Sequence, residues 1–168
     1  YIPTNGTVVT RSADDCSGAG DASVFNDSEG VLMAEISALG VDGAFKNISI
    51  SDGSVNNVVR IQYYNDFSNT IRFQVRSGSV IVASASFVVS DIKDFHKVAL
   101  CYKLNDIKFF IDGIKVGADI IASPMPVGLN QLNFNQGSAL NLFEGRTKQI
   151  QYFDTELNDS EVEELTIM

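Results

Sequence analysis

The 168-residue sequence predicts an all-β fold, an antiparallel β-sandwich that ends in one short C-terminal helix. Apolar and polar residues alternate along many short runs, as they do in strands that turn one face towards a core. Turn-forming residues, such as Asp52-Gly53-Ser54 and Asp112-Gly113, separate these runs. No helical pattern lies between the runs, so nothing indicates the strand–helix–strand units of a parallel sheet.

We predict about eleven to thirteen short strands, whose even spacing is typical of a β-sandwich. They lie near residues 7–11, 22–26, 30–38, 44–51, 57–64, 70–76, 79–88, 96–103, 107–112, 114–118, 131–135 and 143–153. One helix is predicted after the last strand, with Ser160 as its N-cap and Glu163 closing a capping box. Leu157, Val162 and Leu165 would press this helix onto the sandwich.

Length and charge restrict the function classes. A chain of 168 residues fits one domain, which we place at 1–168 with residues 1–6 as an inter-module junction. With a net charge of −9, we expect neither nucleic acid nor an anionic membrane surface as a partner. No apolar run approaches the roughly 18 residues that a membrane span needs. Cys16 and Cys101 either pair or stay free, and the sequence does not decide between the two.

Two stretches resemble the concanavalin-A-like jelly-roll superfamily, in its laminin-G-like and pentraxin-like branch. The first contains Phe95-His96-Lys97-Val98-Ala99 and then Ile111-Asp112-Gly113. The second runs from Gly145 to Glu161, where the closing strand leads into the terminal helix. Residues 1–14 are similar to a junction that recurs in phage tail fibres and modular secreted proteins. The resemblance implies one laminin-G-like module of a larger protein, located outside the cell or on a virion surface.

The same superfamily contains glycosidases and polysaccharide lyases, so catalysis has to be judged from residues. Its glycosidases need two carboxylates roughly 5 Å apart, and no Glu-x-Asp-x-x-Glu run exists here. Glu35 stands alone in its strand, and Arg11-Ser12-Ala13 lacks the carboxylate of the lyase motif. The single histidine, His96, matches the family hairpin and has a structural role there. We therefore predict no catalytic residues.

The strongest candidate site is a polar stripe on the hairpin formed by 57–64 and 70–76. If the apolar residues point inwards, alternation places six polar side chains together on the outer face. These are Arg60, Gln62, Tyr64, Arg72, Gln74 and Arg76. Guanidinium groups suit carboxylate or sulfate, amides suit hydroxyls, and a tyrosine ring can stack on a sugar. The alternative interpretation is a solvated sheet face that only keeps the strands soluble.

A calcium site on the rim is the second candidate, because pentraxin-like and laminin-G-like modules hold Ca²⁺ with loop oxygens. The weak candidate ligands are Asp27, Glu29, Asp52 and Asn57. Their spacing is not diagnostic, and turn formation explains Asp and Asn in loops equally well. Ca²⁺ is therefore the only cofactor that we consider.

The leading functional prediction is a non-catalytic carbohydrate-binding or adhesion module, with a polysaccharide or cell-surface glycan and neighbouring modules as partners. Two alternatives remain: a structural module of a phage tail fibre that binds no sugar, and a lyase or glycosidase of the same fold. The Arg-rich stripe favours an acidic polysaccharide. The absence of tryptophan argues against a deep aromatic platform and favours shallow, charge-assisted recognition.

Overall fold

The computed structural model describes residues 19–40, 43–63 and 69–168, which form ten strands and one helix. The first five strands are β1 (Glu29–Ala38), β2 (Lys46–Ser51), β3 (Val58–Tyr63), β4 (Thr70–Ser77) and β5 (Val80–Val88). The next five are β6 (His96–Lys103), β7 (Lys108–Ile111), β8 (Ile114–Lys115), β9 (Gln131–Asn133) and β10 (Gly145–Phe153). The helix α1 spans Asp159–Thr166.

The strands form two five-stranded antiparallel sheets, so the predicted β-sandwich jelly roll with a short C-terminal helix is confirmed. The first sheet has the order β10-β1-β6-β7-β8, and the second has the order β5-β4-β3-β2-β9. Alternate residues of both sheets point into one shared core, where Phe73 of β4 stacks on Phe109 of β7 with 5.0 Å between ring centroids. Burial of these apolar side chains is the main force that holds the two sheets together.

The helix is where predicted, but its N-cap is Asn158 and not Ser160. The Asn158 side chain accepts the Glu161 N–H at 3.0 Å, and the Glu161 carboxylate accepts the Asn158 N–H at 2.8 Å. This is a full capping box, begun two residues before the predicted one. Val162 is fully buried and Leu157 and Leu165 pack beside it, as expected.

One predicted strand is wrong. Residues 22–26 form a turn, because the Asp21 carboxylate accepts both the N–H and the hydroxyl of Ser23 and bends the chain. The predicted strand at 7–11, the junction at 1–6 and Cys16 lie outside the described residues. Cys101 is a buried free thiol, and burial raises its pKa to about 12. None of the described residues belongs to a helix with the length and hydropathy of a membrane span.

Candidate functional site

The outward side chains of the second sheet form a continuous polar surface, which we call the polar face. Val59, Ile61 and Phe73 lie in the core, so their chain neighbours project to the opposite side of the sheet. The polar face consists of Asn47, Ser49, Ser51, Arg60, Gln62, Arg72, Gln74, Arg76, Ser84 and Ser86. The structure thus brings together five of the six residues predicted for the stripe. The sixth, Tyr64, lies outside the described residues.

The strand register arranges the polar face in cross-strand rows. Asn47, Gln62, Arg72 and Ser86 form one row, in which Gln62 donates to Asn47 at 2.8 Å. Because β2, β3, β4 and β5 are consecutive antiparallel neighbours, every row continues across all four strands.

A second row contains Ser49, Arg60, Gln74 and Ser84. Here the Arg60 guanidinium donates to the Gln74 amide oxygen. Arg72 of the first row reaches across to this one and donates from Nε to the Ser84 hydroxyl at 3.1 Å. The two arginines are therefore held in place by amide and hydroxyl groups of the same face.

Residues 134–144, which we call the cover segment, lie over the β2–β3 half of the polar face. Ser49 donates to the Asn135 carbonyl at 2.8 Å, and Asn47 donates to the Asn141 carbonyl at 3.0 Å. Gly137 sits so close that a Cβ there would lie 2.5 Å from the Ser54 carbonyl oxygen. A larger residue at this position would lift the segment away from the sheet.

The cover segment changes the exposure of the predicted stripe. Arg60 is only 8% exposed and Gln62 only 3%, so a fully solvated sheet face is not what the structure has. Arg72 and Arg76 on β4 are half-buried, and Ser84 and Ser86 on β5 are exposed. The open part of the polar face is therefore its β4–β5 half, with Arg60 at the inner margin.

Arg60 is a buried cation without a carboxylate among the residues that surround it on the polar face. Its guanidinium donates to Gln74 and, at 3.4 Å, to the Gln136 carbonyl, both of which are neutral. Burial and, secondarily, the charges of Arg76 and Arg72 lower its pKa to about 10. The group stays charged at neutral pH, so the inner margin of the polar face carries a positive charge.

Three polar atoms of the face are buried without a hydrogen-bond partner. They are the Nε atoms of Arg60 and Arg76 and the Oε1 atom of Gln62. Unpaired buried polar atoms are rare in folded proteins and each costs stability, so each calls for an explanation. All of the buried side-chain atoms found without a partner in the described part of the chain lie on this one face.

The four calcium candidates are already engaged by partners within the protein. Both Asp27 oxygens accept backbone N–H groups, from Gly128 at 2.7 Å and Leu129 at 2.8 Å. Glu29 lies 3.4 Å from the ammonium group of Lys103. These carboxylates already have partners inside the protein.

Asp52 and Asn57 are neighbours, and their side chains stabilise a turn. The Asp52 carboxylate accepts the Ser54 N–H at 2.9 Å and the Asn57 amide at 2.8 Å. In the described ranges no group of three or more His, Cys, Asp or Glu residues is placed to hold a metal ion. The carboxylate oxygens of Asp52 are thus used to stabilise the turn. A calcium ion would have to displace the N–H groups that donate to them.

His96 and Glu35, the residues considered for catalysis, lie on the first sheet, away from the polar face. His96 contacts Asp112 with 2.6 Å between Nδ1 and Oδ2, and its Nε2 lies 3.1 Å from the Asp91 carbonyl oxygen. Asp112 also accepts the Lys97 N–H and begins the β7–β8 turn. Glu35 pairs with Lys148 at 2.6 Å. Both residues are accounted for by structural contacts.

Comparison with solved structures supports the fold. The chain is similar to the CBM40 module of Ruminococcus gnavus IT-sialidase, in a structure bound to α2,3 sialyllactose, with 16% identity and a TM-score of 0.70. The match covers 94% of this chain and 97% of that one. A leech intramolecular trans-sialidase matches at 17% identity and a TM-score of 0.70, over 92% of this chain but only 26% of the longer one.

A further similar structure is the carbohydrate-binding module CBM66 of Bacillus subtilis, with 13% identity, a TM-score of 0.53 and 75% of each chain covered. At such identities the likeness establishes a shared β-sandwich fold and nothing finer. The laminin-G-like resemblance therefore stays a prediction. No protein-family model and no curated protein sequence matches the chain.

Proposed function

We propose that this chain is a non-catalytic carbohydrate-binding module whose polar face binds a carboxylate-bearing glycan. The observation that carries the proposal is Arg60, a buried cation beside Arg72 and Arg76 whose guanidinium donates only to neutral oxygens among the described residues. A buried charge without a counter-ion is costly, and an anionic ligand would supply one. The chain as a whole has a net charge of −9, so the charge of this face is opposite in sign to that of the whole chain.

The chemistry of the open half suits a sugar acid. A guanidinium presents two parallel N–H donors that match the two oxygens of a carboxylate. Arg72 and Arg76 lie on the same strand face with Gln74 between them, so a ligand over β4 can contact both guanidinium groups. The serine hydroxyls on β5 and the amides on β3 and β4 can exchange hydrogen bonds with sugar hydroxyls. The result is shallow recognition, in keeping with the absence of tryptophan.

A non-catalytic role is supported by the groups that the polar face holds. Glycoside hydrolysis requires a pair of carboxyl groups beside the scissile bond. The polar face as defined offers guanidinium, amide and hydroxyl groups, and its strand neighbours on β5 are serines. The single histidine is engaged in the β6–β7 hairpin. These groups can bind and orient a sugar, but none of them is a ready proton donor for a glycosidic oxygen.

Sialylated glycans are the first ligands to test, because the R. gnavus module of the same fold is described in complexes with α2,3 and α2,6 sialyllactose. In the leech protein the matching region is about a quarter of a longer chain, 26% by coverage. We therefore extend the proposal to a module that works within a larger protein outside the cell. The placement in a phage tail fibre stays a prediction from residues 1–14.

The test is isothermal titration calorimetry with α2,3 sialyllactose against lactose, which differs by the sialic acid alone. We expect binding of the first and none of the second, and a loss of roughly tenfold in affinity for Arg76→Gln, from a hydrogen bond to a charged group. Alginate as a second ligand shows whether uronate carboxylates serve equally well.

Arg146→Gln is the matched control, because it removes the same charge from β10 on the other sheet. Its affinity should equal that of the unmodified chain. Equal binding of lactose and sialyllactose, equal weakening by both substitutions, or no binding of any of the three ligands would each contradict the proposal. The last result would favour the structural-module alternative.

A further inference from the structure

The four edge strands of the sandwich differ in how they are protected from pairing with another chain. Among the described strands the edges are β10 and β8 in one sheet and β5 and β9 in the other. β8 has two residues and β9 has three, and β10 carries Arg146 and Lys148. Short length and charge are the usual means by which edges avoid pairing.

β5 has neither protection. It is nine residues long, and the sequence from Ser77 to Ser90 contains no charged residue and no proline. Val80, Ile81 and Val88 are large apolar side chains exposed on or beside this edge. A bulge lies near Arg76, at the start of the strand, so the segment 83–88 runs in regular register with β4.

The ladder with β4 fixes which backbone groups of β5 face outwards. The Val89 N–H donates to the Asn69 carbonyl at 2.9 Å, just beyond the paired residues Val88 and Thr70. Residues in an antiparallel ladder alternate between bonding the neighbour and pointing away from it. The N–H and C=O groups of Ser84, Ser86 and Val88 therefore point to the free edge. No backbone hydrogen bond among the described residues reaches them from that side.

We propose that β5 pairs antiparallel with β5 of a second copy of this chain, joining two second sheets into one. The segment is self-complementary, because an antiparallel two-fold pairing keeps the alternation of faces. On the polar side, each copy then places Ser84, Ser86 and Val88 beside the same three residues of the other copy. On the core side, the residues brought together are Ala83, Ala85 and Phe87 of both copies. Two copies with a net charge of −9 each repel one another, and this edge lets them meet without charged residues at the strand contact itself.

The pairing has a functional consequence, which, unlike the pairing itself, rests on the proposed function. The two-fold axis of an antiparallel strand pair is perpendicular to the sheet, so both polar faces lie on the same side. The two β4 strands would be separated by three strand spacings, about 14 Å. Such a dimer would bind a multivalent glycan with two faces at once.

The test is sedimentation equilibrium of the full chain from micromolar to millimolar concentration. We expect the mass to rise from 18.2 kDa to twice that value. Ser86→Pro should remain monomeric where the unmodified chain is dimeric, because it removes an outward N–H without touching the β4 ladder. Ser86→Thr, which keeps that N–H, should dimerise normally. Val88→Lys places a charge on the same edge and serves as the second variant if Ser86→Pro fails to fold.

A mass of one chain at every concentration would overturn the proposal. A dimer that survives both Ser86→Pro and Val88→Lys would do the same, since it must use another surface. Failure here is separable from failure of the proposed function: a monomeric Val88→Lys chain keeps every residue of the polar face and should still bind sialyllactose. If it bound nothing while the dimer bound normally, the ligand site would lie across the edge and not on one polar face.

Discussion

The two outer faces of the sandwich differ in the partners of their positively charged side chains. On the first sheet, an apolar cluster is covered by α1, and the surrounding lysines are paired. Lys103 and Lys108 share Glu156, at 2.8 Å and 3.0 Å, and Lys115 lies 2.8 Å from Asp159. On the second sheet, Arg60 is surrounded by neutral oxygens. In an acidic chain carboxylates are plentiful, and the neutral surroundings of Arg60 are the basis of our proposal that this face binds an outside anion.

The largest expected effect separates packing from binding. Phe110 is fully buried in the cluster that joins the first sheet to α1. Phe110→Ala should lower the free energy of unfolding by about 3–5 kcal/mol, through lost burial and the cavity left behind. The folded fraction should bind sialyllactose normally, because the cluster lies on the opposite side of the sandwich. Urea denaturation and calorimetry measure the two quantities. A decrease in the free energy of unfolding below about 1 kcal/mol would mean that the packing of α1 on the first sheet contributes little to stability.

The contacts of Lys103 and Lys108 with Glu156 predict a contribution to the free energy of unfolding that is lost at acid pH. Hydrogen bonds from Lys103 and Lys108 lower the pKa of Glu156 from 4.5 to about 2. A carboxylate whose pKa is lower in the folded state stabilises above its unfolded pKa and ceases to do so as pH falls towards the folded pKa. Glu156→Gln should therefore cost about 1–2 kcal/mol at pH 7, discounted for partial exposure, and the difference should vanish between pH 4.5 and 2. A pH-independent difference would contradict this cause.

The helix cap should contribute a smaller amount. Asn158→Ala removes the side-chain acceptor of the capping box and should lower the free energy of unfolding by about 1 kcal/mol. Ser160→Ala, at the predicted but incorrect cap, is the matched control and should change stability by less than about 0.5 kcal/mol. Thermal denaturation of the two variants distinguishes them. The reverse order would move the start of α1 to Ser160.

The smallest expected effect on stability is on the polar face. Arg76→Gln should change the free energy of unfolding by less than about 0.5 kcal/mol, because Arg76 is half-buried and forms no ion pair within the described residues. Affinity for sialyllactose should nonetheless fall. This combination of intact stability and lost binding is the opposite of the Phe110→Ala result. If Arg76→Gln unfolded the protein, the arginine would have to be counted as structural.

Local patterns predicted what depends on local geometry. Alternation along β3 and β4 was enough to place Arg60 and Gln74 on one face, because strand periodicity follows from backbone geometry. The burial of Arg60 could not be foreseen, since it depends on the cover segment, whose carbonyl at Gln136 is 76 residues away in sequence. The N-cap shows another limit. Asn158 and Ser160 each have Glu three residues later, so the sequence pattern alone does not distinguish the two caps.

The central claim is that the arginines of the polar face bind a sugar carboxylate. Heteronuclear NMR of the arginine Nε–Hε groups tests it most directly, during titration with α2,3 sialyllactose and, in parallel, with lactose. We predict saturable shifts of the Arg60 and Arg76 signals, whose Nε atoms have no partner in the free protein, with the acidic sugar alone. The Arg146 signal should not move. Unchanged Arg60 and Arg76 signals at saturation, or equal shifts with lactose, would contradict the account.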